Sequence, residues 1–336
     1  MKEFKEIISA IRKLIGGFRV YGKKKETPFV SYLSMRYLFC VTKGLSNDLS
    51  HFLLTSVFSK RKFDSKKGIL GKFNKKEKKN ILNELKEKGY YVLDQILDKE
   101  TIDNLTEFAL RGKTHIVPLG EDDSRVLPKA PIDFKNLLGI RYLLNSDELV
   151  NEPSVQKIMS DESMMSIAQD YLGSVPISTG VVMWWNTDYL PEPNDNAATM
   201  WHFDMDNLKW LNFFFYLSDI DENKGPHCFV EGTHKSRSMP DLFYQDKRKT
   251  DLEVSSHFAP DKIKEFIAKK GTLIIEDTRG LHKGKHVLSG SRLLFQVRFT
   301  SHLFGAVPEK AVIKRFANEE TEKFIKSNAV AFQSYL

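Results

Sequence analysis

The segment MWHFDMDN, residues 200–207, carries a histidine and an aspartate two positions apart within an apolar stretch of the chain. Residues two apart on a β-strand point to the same face, so His202 and Asp204 are expected to project side by side. A carboxylate that faces the interior of a barrel is buried and requires a neutralising partner. A divalent metal ion provides that charge, and the spacing therefore predicts a metal site at this segment.

A metal site of this kind needs a further ligand from a later part of the chain. The histidines after Asp204 are His227, His234, His257, His282, His286 and His302. His282 is the best candidate, because it follows the strand-like segment 271–276 and a turn, and precedes a second strand that begins at Arg292. Two histidines and one carboxylate leave three metal positions open for a cosubstrate and O2, as in the facial triad of non-haem Fe(II) oxygenases.

The strand after His282 carries two arginines on one face. Alternation places Arg292, Leu294, Gln296 and Arg298 together, and it places the apolar side chains between them on the other face. Two guanidinium groups on one face of an otherwise apolar strand predict a bound anion. A guanidinium binds a carboxylate through two parallel hydrogen bonds, so the pattern suits a dicarboxylate cosubstrate. Arg292 is the preferred anchor and Arg298 the alternative.

Most of the chain after residue 175 is strand-like. The predicted strands are 177–186, 199–205, 209–218, 227–231, 271–276, 281–287 and 292–301. Short strands separated by polar turns are typical of a β-sandwich or barrel, and the helices predicted before residue 175 would pack against it. Residues 233–262 form a long polar segment between two predicted strands, and this segment is a candidate lid or substrate loop.

The N-terminal part of the chain is strongly basic. Residues 1–90 contain 22 Lys/Arg and 8 Asp/Glu, whereas the remaining 246 residues contain 29 and 36. Apolar residues at helical spacing predict an amphipathic helix over residues 2–15, ended by Gly16-Gly17, and more helix over 27–58. A basic amphipathic helix lies on a membrane surface or packs on its own domain or a sister subunit. Residues 1–20 are therefore a candidate for peripheral membrane contact, and nucleic acid is the less favoured partner.

The composition argues against several other classes of protein. Two cysteines, Cys40 and Cys228, provide neither a disulfide framework nor a cysteine-based zinc site. The chain has no run of about 18 apolar residues, and its N-terminus lacks the apolar core and cleavage site of a signal peptide. The expected location is the cytoplasm, and the oligomeric state stays open.

Taken in order, HFD at 202–204, His282 and Arg292 resemble the Fe(II)/2-oxoglutarate oxygenases of the phytanoyl-CoA dioxygenase type, whose pattern is HxD, a distal histidine and a following arginine. Three further segments are similar to stretches of that family: GYYVLDQILDKETIDNL (89–105), LSDIDENKGPHCFVEGTHK (217–235) and GTLIIED (271–277). The resemblance covers residues 87–302. It leaves out the basic N-terminal arm and the C-terminal tail.

The resemblance implies a mainly β fold with flanking helices, in which a double-stranded β-helix (jelly-roll) core holds iron at one open end. We therefore expect three parts of the chain. Residues 1–86 form a basic, mostly helical extension, residues 87–305 the oxygenase domain, and residues 306–336 a partly helical tail.

By the same resemblance, the iron ligands are His202, Asp204 and His282. Arg292 is expected to bind the distal carboxylate of 2-oxoglutarate. Met183 and Asn186, on the strand that leads to the HxD segment, are expected to line the cosubstrate pocket.

One position departs from the family pattern. Relatives often carry a serine or threonine two residues after the distal histidine, where it helps to hold the cosubstrate, and this chain has Gly284 there. A second feature agrees with the pattern of hydroxylases. Related halogenases replace the aspartate with a small residue, whereas Asp204 is present here.

The sequence thus predicts an Fe(II)-, 2-oxoglutarate- and O2-dependent dioxygenase that hydroxylates an unactivated C–H bond of a small-molecule or carrier-linked metabolite and releases succinate and CO2. Desaturation or epimerisation would follow from different substrate positioning. Two alternatives from other classes remain. One is a non-catalytic or regulatory metal-binding jelly-roll protein. The other is a lipid- or nucleic-acid-binding module that uses the basic N-terminal arm.

Overall fold

The computed structural model describes residues 2–55, 60–245 and 247–336 of the chain. Within these ranges the strands are β1 (Tyr90–Leu93), β2 (Thr114–Ile116), β3 (Arg141–Leu144), β4 (Ile177–Thr187), β5 (Trp210–Tyr216), β6 (His227–Val230), β7 (Ile263–Phe266), β8 (Leu273–Glu276), β9 (His282–Gly284) and β10 (Ser291–Thr300). The α-helices are α1 (Lys2–Lys24), α2 (Phe29–Thr42), α3 (Leu45–Thr55), α4 (Lys75–Lys88), α5 (Lys99–Arg111), α6 (Ser146–Leu149), α7 (Pro153–Met159), α8 (Glu162–Leu172), α9 (Asp251–Ser255) and α10 (Glu319–Ser327).

The strands form two antiparallel sheets that pack face to face. The larger sheet has the order β1-β8-β5-β10-β4-β3-β2, and the smaller sheet has the order β7-β6-β9. Neighbouring strands in both sheets are mostly distant in sequence, as in a jelly roll, where the chain crosses repeatedly between the two sheets. The predicted fold class, mainly β with flanking helices around a jelly-roll core, is confirmed.

The two faces of the larger sheet have different partners. The outer face packs against α4, α5, α7 and α8 in one continuous apolar cluster, which includes Phe213, Phe295 and Val297. The inner face meets the smaller sheet through a second cluster, in which Phe214 and Leu294 contact strands β6 and β7. Polar side chains on the inner face therefore lie between the sheets, where they are shielded from water.

The N-terminal helix is longer than its sequence predicts. Gly16 and Gly17 do not end it, and α1 continues to Lys24. A Cβ atom on Gly17 would lie 2.4 Å from Cβ of Ser31, so glycine is what allows α1 and α2 to approach so closely. The hydroxyl of Ser31 also donates to the Lys13 carbonyl at 2.9 Å. The glycine pair is therefore a helix-packing feature, and the prediction of a helix end at this point is wrong.

The N-terminal extension packs against the jelly roll. Phe18 and Tyr21 of α1 contact Phe304, with ring centroids 4.4 and 5.7 Å apart. Phe39 of α2 contacts Phe203 of the HxD segment, with ring centroids 5.4 Å apart. The helix predicted over 27–58 corresponds to α2 and α3 as far as residue 55, and residues 56–59 lie outside the described part. None of the described helices is both long and apolar enough to cross a membrane.

The segment around the HxD motif is not a regular strand. Trp201 pairs with Lys249 and His202 with His282 through single bridges, and the residues that follow are irregular. The N–H of Asp204 instead donates to the Thr278 carbonyl at 2.9 Å, in a loop of the larger sheet. The predicted strand over 199–205 is therefore wrong, because its hydrogen bonds go to three separate segments and not to one neighbouring strand.

Gly16 and Gly17 offer a matched test of this helix packing. Gly16→Ala is expected to raise the midpoint of thermal unfolding slightly, because a Cβ there meets nothing within 4 Å and alanine favours helix. Gly17→Ala is expected to lower it, since overpacking typically costs about 1–3 kcal/mol. Thermal unfolding of the full chain measures both. Equal midpoints for the two variants would contradict the close packing of α1 on α2.

Candidate metal centre and active site

The structure brings His202, Asp204 and His282 together. One potential ligand atom from each lies within 4.8 Å of the others. Nε2 of His202 is 3.9 Å from Oδ1 of Asp204, and Nε2 of His282 is 3.9 Å from Oδ2 of the same carboxylate. Two imidazoles and one carboxylate converging on one point match the donor set of a facial triad, which suits Fe(II).

Backbone pairing places the two histidines side by side. The N–H of His202 donates to the His282 carbonyl at 2.9 Å, and the N–H of His282 donates back at 2.7 Å. Their rings are consequently 4.3 Å apart between centroids, although the residues are far apart in sequence. This reciprocal bridge fixes the spacing of two of the three ligands.

The tautomer of each histidine follows from its second ring nitrogen. Nδ1 of His202 lies 2.9 Å from the Met200 carbonyl, and Nδ1 of His282 lies 2.9 Å from the Gly280 carbonyl. A carbonyl oxygen only accepts hydrogen bonds, so each Nδ1 carries the hydrogen and each Nε2 presents its lone pair to the site. Burial also lowers the pKa of His202 well below its usual value, which keeps this imidazole neutral.

A hydroxyl group orients the carboxylate of Asp204. Thr278 Oγ1 accepts from Trp210 Nε1 at 2.7 Å and from Asn212 Nδ2 at 2.8 Å. Both partners are donors, so the Thr278 hydroxyl hydrogen goes to Asp204 Oδ2, 2.7 Å away. Burial alone would raise the pKa of Asp204, but His282 and Arg298 lower it below the usual value. The carboxylate is therefore ionised, as a metal ligand must be.

Arg298 is engaged with the acids around the metal centre. Its Nη1 donates to Asp206, its Nη2 lies 3.5 Å from Asp204 Oδ2, and its Nε donates to Asn212 Oδ1 at 3.1 Å. The alternative in which Arg298 anchors the cosubstrate is therefore not what the geometry favours. Its position explains the second arginine on this face of β10, since it balances the two aspartates.

Arg292 and Asn186 lie together inside the barrel. Asn186 Oδ1 accepts from Arg292 Nη2 at 2.7 Å, and Arg292 Nη1 donates to the Gly225 carbonyl. Among the described residues, Arg292 Nε and Asn186 Nδ2 have no hydrogen-bond partner, and both atoms are buried. Burial lowers the pKa of Arg292, and its guanidinium forms no ion pair with an acid among the described residues. Two buried donors without acceptors are what a bound carboxylate would satisfy.

Arg141 is a site residue that sequence reasoning missed. It lies opposite Asn186 in the pairing of β3 with β4, and Arg292 lies opposite Asn186 on the other side. Arg141 packs over the Trp184 ring at 4.5 Å, its Nε has no partner among the described residues, and burial lowers its pKa to about 10. The available signal was an arginine in the short apolar strand RYLL, the same pattern that identified Arg292.

Met183 lies on the other face of β4, so the structure does not bring it to this site. Its side chain is fully buried in the cluster beneath the helices, opposite Phe295. Trp184 and Asn186 face inward instead, and Trp184 Nε1 donates to Asn186 Oδ1 at 2.8 Å. The expectation that Met183 lines the cosubstrate pocket is corrected, because strand alternation separates it from Asn186.

A second buried polar pair lies next to the metal centre. His227 Nε2 is 2.8 Å from Oε2 of Glu276, and both side chains are buried. Burial raises the pKa of Glu276 to about 8 and lowers that of His227 to about 3. The His227 ring lies 5.8 Å from the His282 ring between centroids. It is not part of the metal cluster found among the described residues.

Gly284 is required by the position of Arg292. A Cβ atom at residue 284 would lie 2.5 Å from Arg292 Nη2. The guanidinium cannot easily move away, because Asn186 and the Gly225 carbonyl hold it. In this structure a side chain at position 284 would therefore require the Arg292 guanidinium to move.

A cavity of about 630 Å³ opens over the metal centre. Its walls include Arg36, Asn196, Met200, His202, Asp204, Met205, Gln245 and Arg248. Part of this wall comes from α2, where Cys40 Sγ lies 3.8 Å from Met205 Sδ. The volume lies in the range of small-molecule sites, and the N-terminal extension helps to shape it.

The part of the chain that matches a known family contains the residues of the assembled site. A family model described as phytanoyl-CoA dioxygenase matches residues 85–293, which contain the metal triad and Arg292. The chain belongs to the phytanoyl-CoA dioxygenase family. The family prediction is confirmed, and so is the cofactor prediction of Fe(II), 2-oxoglutarate and O2. Helices α1–α3 lie outside the matched segment.

Several solved structures are similar to this chain. The epimerase SnoN, in complex with Fe3+, alpha ketoglutarate and nogalamycin RO, is 12% identical, with 68% of this chain and 85% of that chain covered and a TM-score of 0.48. HygX from Streptomyces hygroscopicus, with nickel and 2-oxoglutarate bound, is 14% identical, with 69% and 89% covered and a TM-score of 0.46. The carbocyclase SnoK from nogalamycin biosynthesis is 14% identical, with 71% and 94% covered and a TM-score of 0.45. No curated protein matches the sequence.

Thr278 provides a test of the metal centre. Thr278→Val removes the hydrogen bond to Asp204, and we expect metal affinity to fall by about 10- to 100-fold, the usual effect of losing such a partner. Thr278→Ser keeps the hydroxyl and should bind metal nearly as tightly as the wild type. Titration with Mn²⁺ or Fe(II) under anaerobic conditions measures both affinities. Wild-type affinity in the valine variant would show that this hydroxyl does not orient the ligand.

Proposed function

We propose that this protein is an Fe(II)- and 2-oxoglutarate-dependent dioxygenase that hydroxylates an unactivated C–H bond of a small-molecule or carrier-linked substrate. The observation that carries the proposal is the triad of His202, Asp204 and His282 next to buried donors that lack acceptors. Iron, 2-oxoglutarate and O2 supply the oxidising chemistry, with succinate and CO2 as by-products. The remaining task of the chain is to bind, orient and shield the reactants.

The protonation states of the triad suit a metal without further change. His202 is held neutral by burial, and Asp204 is held ionised by its neighbours. The hydrogen bonds from each Nδ1 and from Thr278 hold the three side chains before a metal arrives. This preorganisation leaves the open side of the triad for 2-oxoglutarate and O2.

The cationic groups on β3 and β10 would bind the distal carboxylate of 2-oxoglutarate. Arg292 and Asn186 each offer a buried donor, and Arg141 adds a second guanidinium in the same row across the sheet. Trp184, Phe214 and Leu294 belong to the apolar cluster in this part of the interior. Electrostatic attraction is stronger in such surroundings than in water, so a dianion of this length is well matched.

The cavity over the metal centre favours a polar substrate. Asn196, Gln245 and Arg248 contribute hydrogen-bonding side chains to its wall, and Arg248 is paired with Asp195. A long unbranched apolar chain would make no hydrogen bonds with such a wall and would displace water from its polar groups, at a cost in affinity. Hydroxylation is the proposed outcome. Analysis of the product would distinguish it from desaturation or epimerisation, and a protein that never consumes 2-oxoglutarate would be regulatory.

Binding of the cosubstrate is the direct test of this function. Anaerobic addition of Fe(II) and 2-oxoglutarate should give the weak visible charge-transfer band of the chelate. His202→Ala should abolish the band. Arg292→Ala should weaken 2-oxoglutarate binding by about 10- to 100-fold while metal affinity is retained, because a hydrogen bond to a charged group contributes about 1.5–3 kcal/mol.

His257→Ala is the matched control for this test, since His257 is exposed and lies outside the site. It should behave like the wild type. If folded, iron-loaded wild-type protein gives no band, the cosubstrate is not 2-oxoglutarate and the proposed function is wrong.

We also propose that α1 contacts an anionic lipid surface. Phe4, Ile11 and Ile15 are 66%, 42% and 48% exposed, and their spacing places them on one face of the helix. Lys5, Arg12 and Arg19 are also exposed and recur every seven residues along the adjacent stripe. An apolar stripe beside a basic stripe is the arrangement of helices that lie in the membrane interface, where anionic lipids attract the basic side.

Vesicle binding tests this second proposal. The full chain should sediment with vesicles that contain phosphatidylglycerol, and less with pure phosphatidylcholine, with an affinity that falls as salt rises. Ile11→Ser combined with Ile15→Ser should reduce binding, and so should Lys5→Glu combined with Arg12→Glu. Val126→Ser changes an exposed residue elsewhere and serves as the control. Equal binding by all variants, or none by the wild type, would contradict a lipid contact at α1.

A further inference from the structure

His227 lies directly opposite Gly284. The two residues are partners in the antiparallel pairing of β6 with β9. Side chains of directly opposed residues point to the same face of a sheet. A Cβ on Gly284 would point at Arg292 Nη2, 2.5 Å away, so that face is the interior that holds the guanidinium. The His227 side chain therefore shares the interior with Arg292.

The same ring also reaches the metal side of the interior. Its centroid lies 5.8 Å from that of the ligand His282 and 4.9 Å from that of Phe214. His227 is consequently close to both ends of the space in which a molecule bound to the metal and to Arg292 would lie.

The orientation of His227 is fixed by its neighbours. Its backbone N–H donates to the Tyr216 hydroxyl at 2.8 Å, and that hydroxyl donates to the Phe266 carbonyl at 2.9 Å. The ring stacks on Phe266 with an interplanar angle of 13°. Nε2 is turned towards Glu276, which leaves Nδ1 as the other polar atom of the ring.

Glu276 determines what Nδ1 can do. The carboxyl group is fully buried, its Oε2 is hydrogen-bonded to His227, and its Oε1 has no partner among the described residues. A net negative charge here would oppose binding of an anion nearby, so the favourable pair is a neutral one. In a neutral pair the proton between the two side chains sits on either Glu276 or Nε2. In both arrangements Nδ1 carries a hydrogen and is a donor. A Glu276 proton on Oε1 would instead leave Nδ1 bare, but that O–H has no acceptor among the described residues.

We propose that His227 donates through Nδ1 to the distal carboxylate of 2-oxoglutarate, beside Arg292, and that Glu276 is its positioning residue. This inference rests on the proposed function. His227 would thus provide, from the opposite strand, the hydrogen bond that a serine or threonine at position 284 provides in relatives. The steric conflict between a side chain at 284 and Arg292 accounts for moving the donor across the strand pair.

A purely structural role for the pair is the weaker explanation. The ring space between Phe214 and Phe266 could be filled by phenylalanine, which would need no polar partner. A fully buried carboxyl group is costly unless it is hydrogen-bonded, so Glu276 is explained by the need to orient the imidazole. His227 is also not a fourth metal ligand, since its Nε2 is committed to Glu276.

The test compares two conservative variants in anaerobic titrations of the Fe(II)-loaded full chain with 2-oxoglutarate. His227→Phe keeps the ring and removes the donor, and we expect the dissociation constant for 2-oxoglutarate to rise about tenfold or more. Metal affinity should be unchanged. Glu276→Gln can still donate to Nε2 and so keeps the hydrogen on Nδ1, and its affinity for 2-oxoglutarate should stay within about threefold of the wild type.

The outcomes separate this inference from the proposed function. If the wild type shows no charge-transfer band, the proposed function fails. If the wild type shows the band and His227→Phe binds 2-oxoglutarate equally well, only the role of His227 is wrong. Loss of metal affinity in His227→Phe would also overturn that role, since the ring would then support the metal centre.

A measurement on the wild type covers the case in which His227→Phe does not fold. In the Zn²⁺-loaded protein with ¹⁵N-labelled histidine, addition of 2-oxoglutarate should produce one newly hydrogen-bonded imidazole N–H signal. The Nδ1 hydrogens of His202 and His282 already bond to carbonyls and should not give it. No new signal with 2-oxoglutarate bound would overturn the inference.

Discussion

The reciprocal pair of backbone hydrogen bonds between His202 and His282 is the contact on which the site depends. It joins an irregular segment to the start of β9 and sets two imidazoles side by side. The third ligand, Asp204, is positioned by separate contacts beside this bridge. Asp204 reaches the same point because its own N–H is held by the Thr278 carbonyl, and the Thr278 hydroxyl then orients its carboxylate. Three ligands from two distant segments of the chain are thus held by main-chain contacts, which side-chain motion does not disturb.

The interior of the barrel is divided between two ends of opposite charge. At the metal end, Asp204 and Asp206 lie beside the two imidazoles, and Arg298 balances the acids. At the other end, Arg292 is buried and Arg141 half-buried, and neither forms an ion pair with an acid among the described residues. A buried guanidinium without a counter-ion is unfavourable, so this end is stabilised when an anion binds. The uncompensated guanidinium charge therefore lowers the stability of the folded protein until an anionic cosubstrate binds. Such local losses of stability are common at functional sites.

The sequence predicted the parts of this site that depend on spacing along one segment. HxD, the distal histidine and the inward alternation of Arg292 were all visible, as was the jelly-roll class. Features that depend on pairing between segments were not visible. The HxD segment is not a strand, Met183 lies on the outer face, and Arg141 stands in a strand of four residues, too short for alternation to identify its face. Gly17 likewise looked like a helix end, because its contact with Ser31 exists only once α1 and α2 have packed.

The wall of the cavity has a consequence for how such proteins diversify. The candidate metal ligands lie within the segment that the family model matches, whereas α2, which contacts the cavity wall through Phe39 and Cys40, lies outside it. The leading helices therefore contribute one part of the cavity wall, and the rest of the wall comes from the matched segment. An exchange or redesign of these helices would reshape that part of the wall and leave the three candidate metal ligands in place.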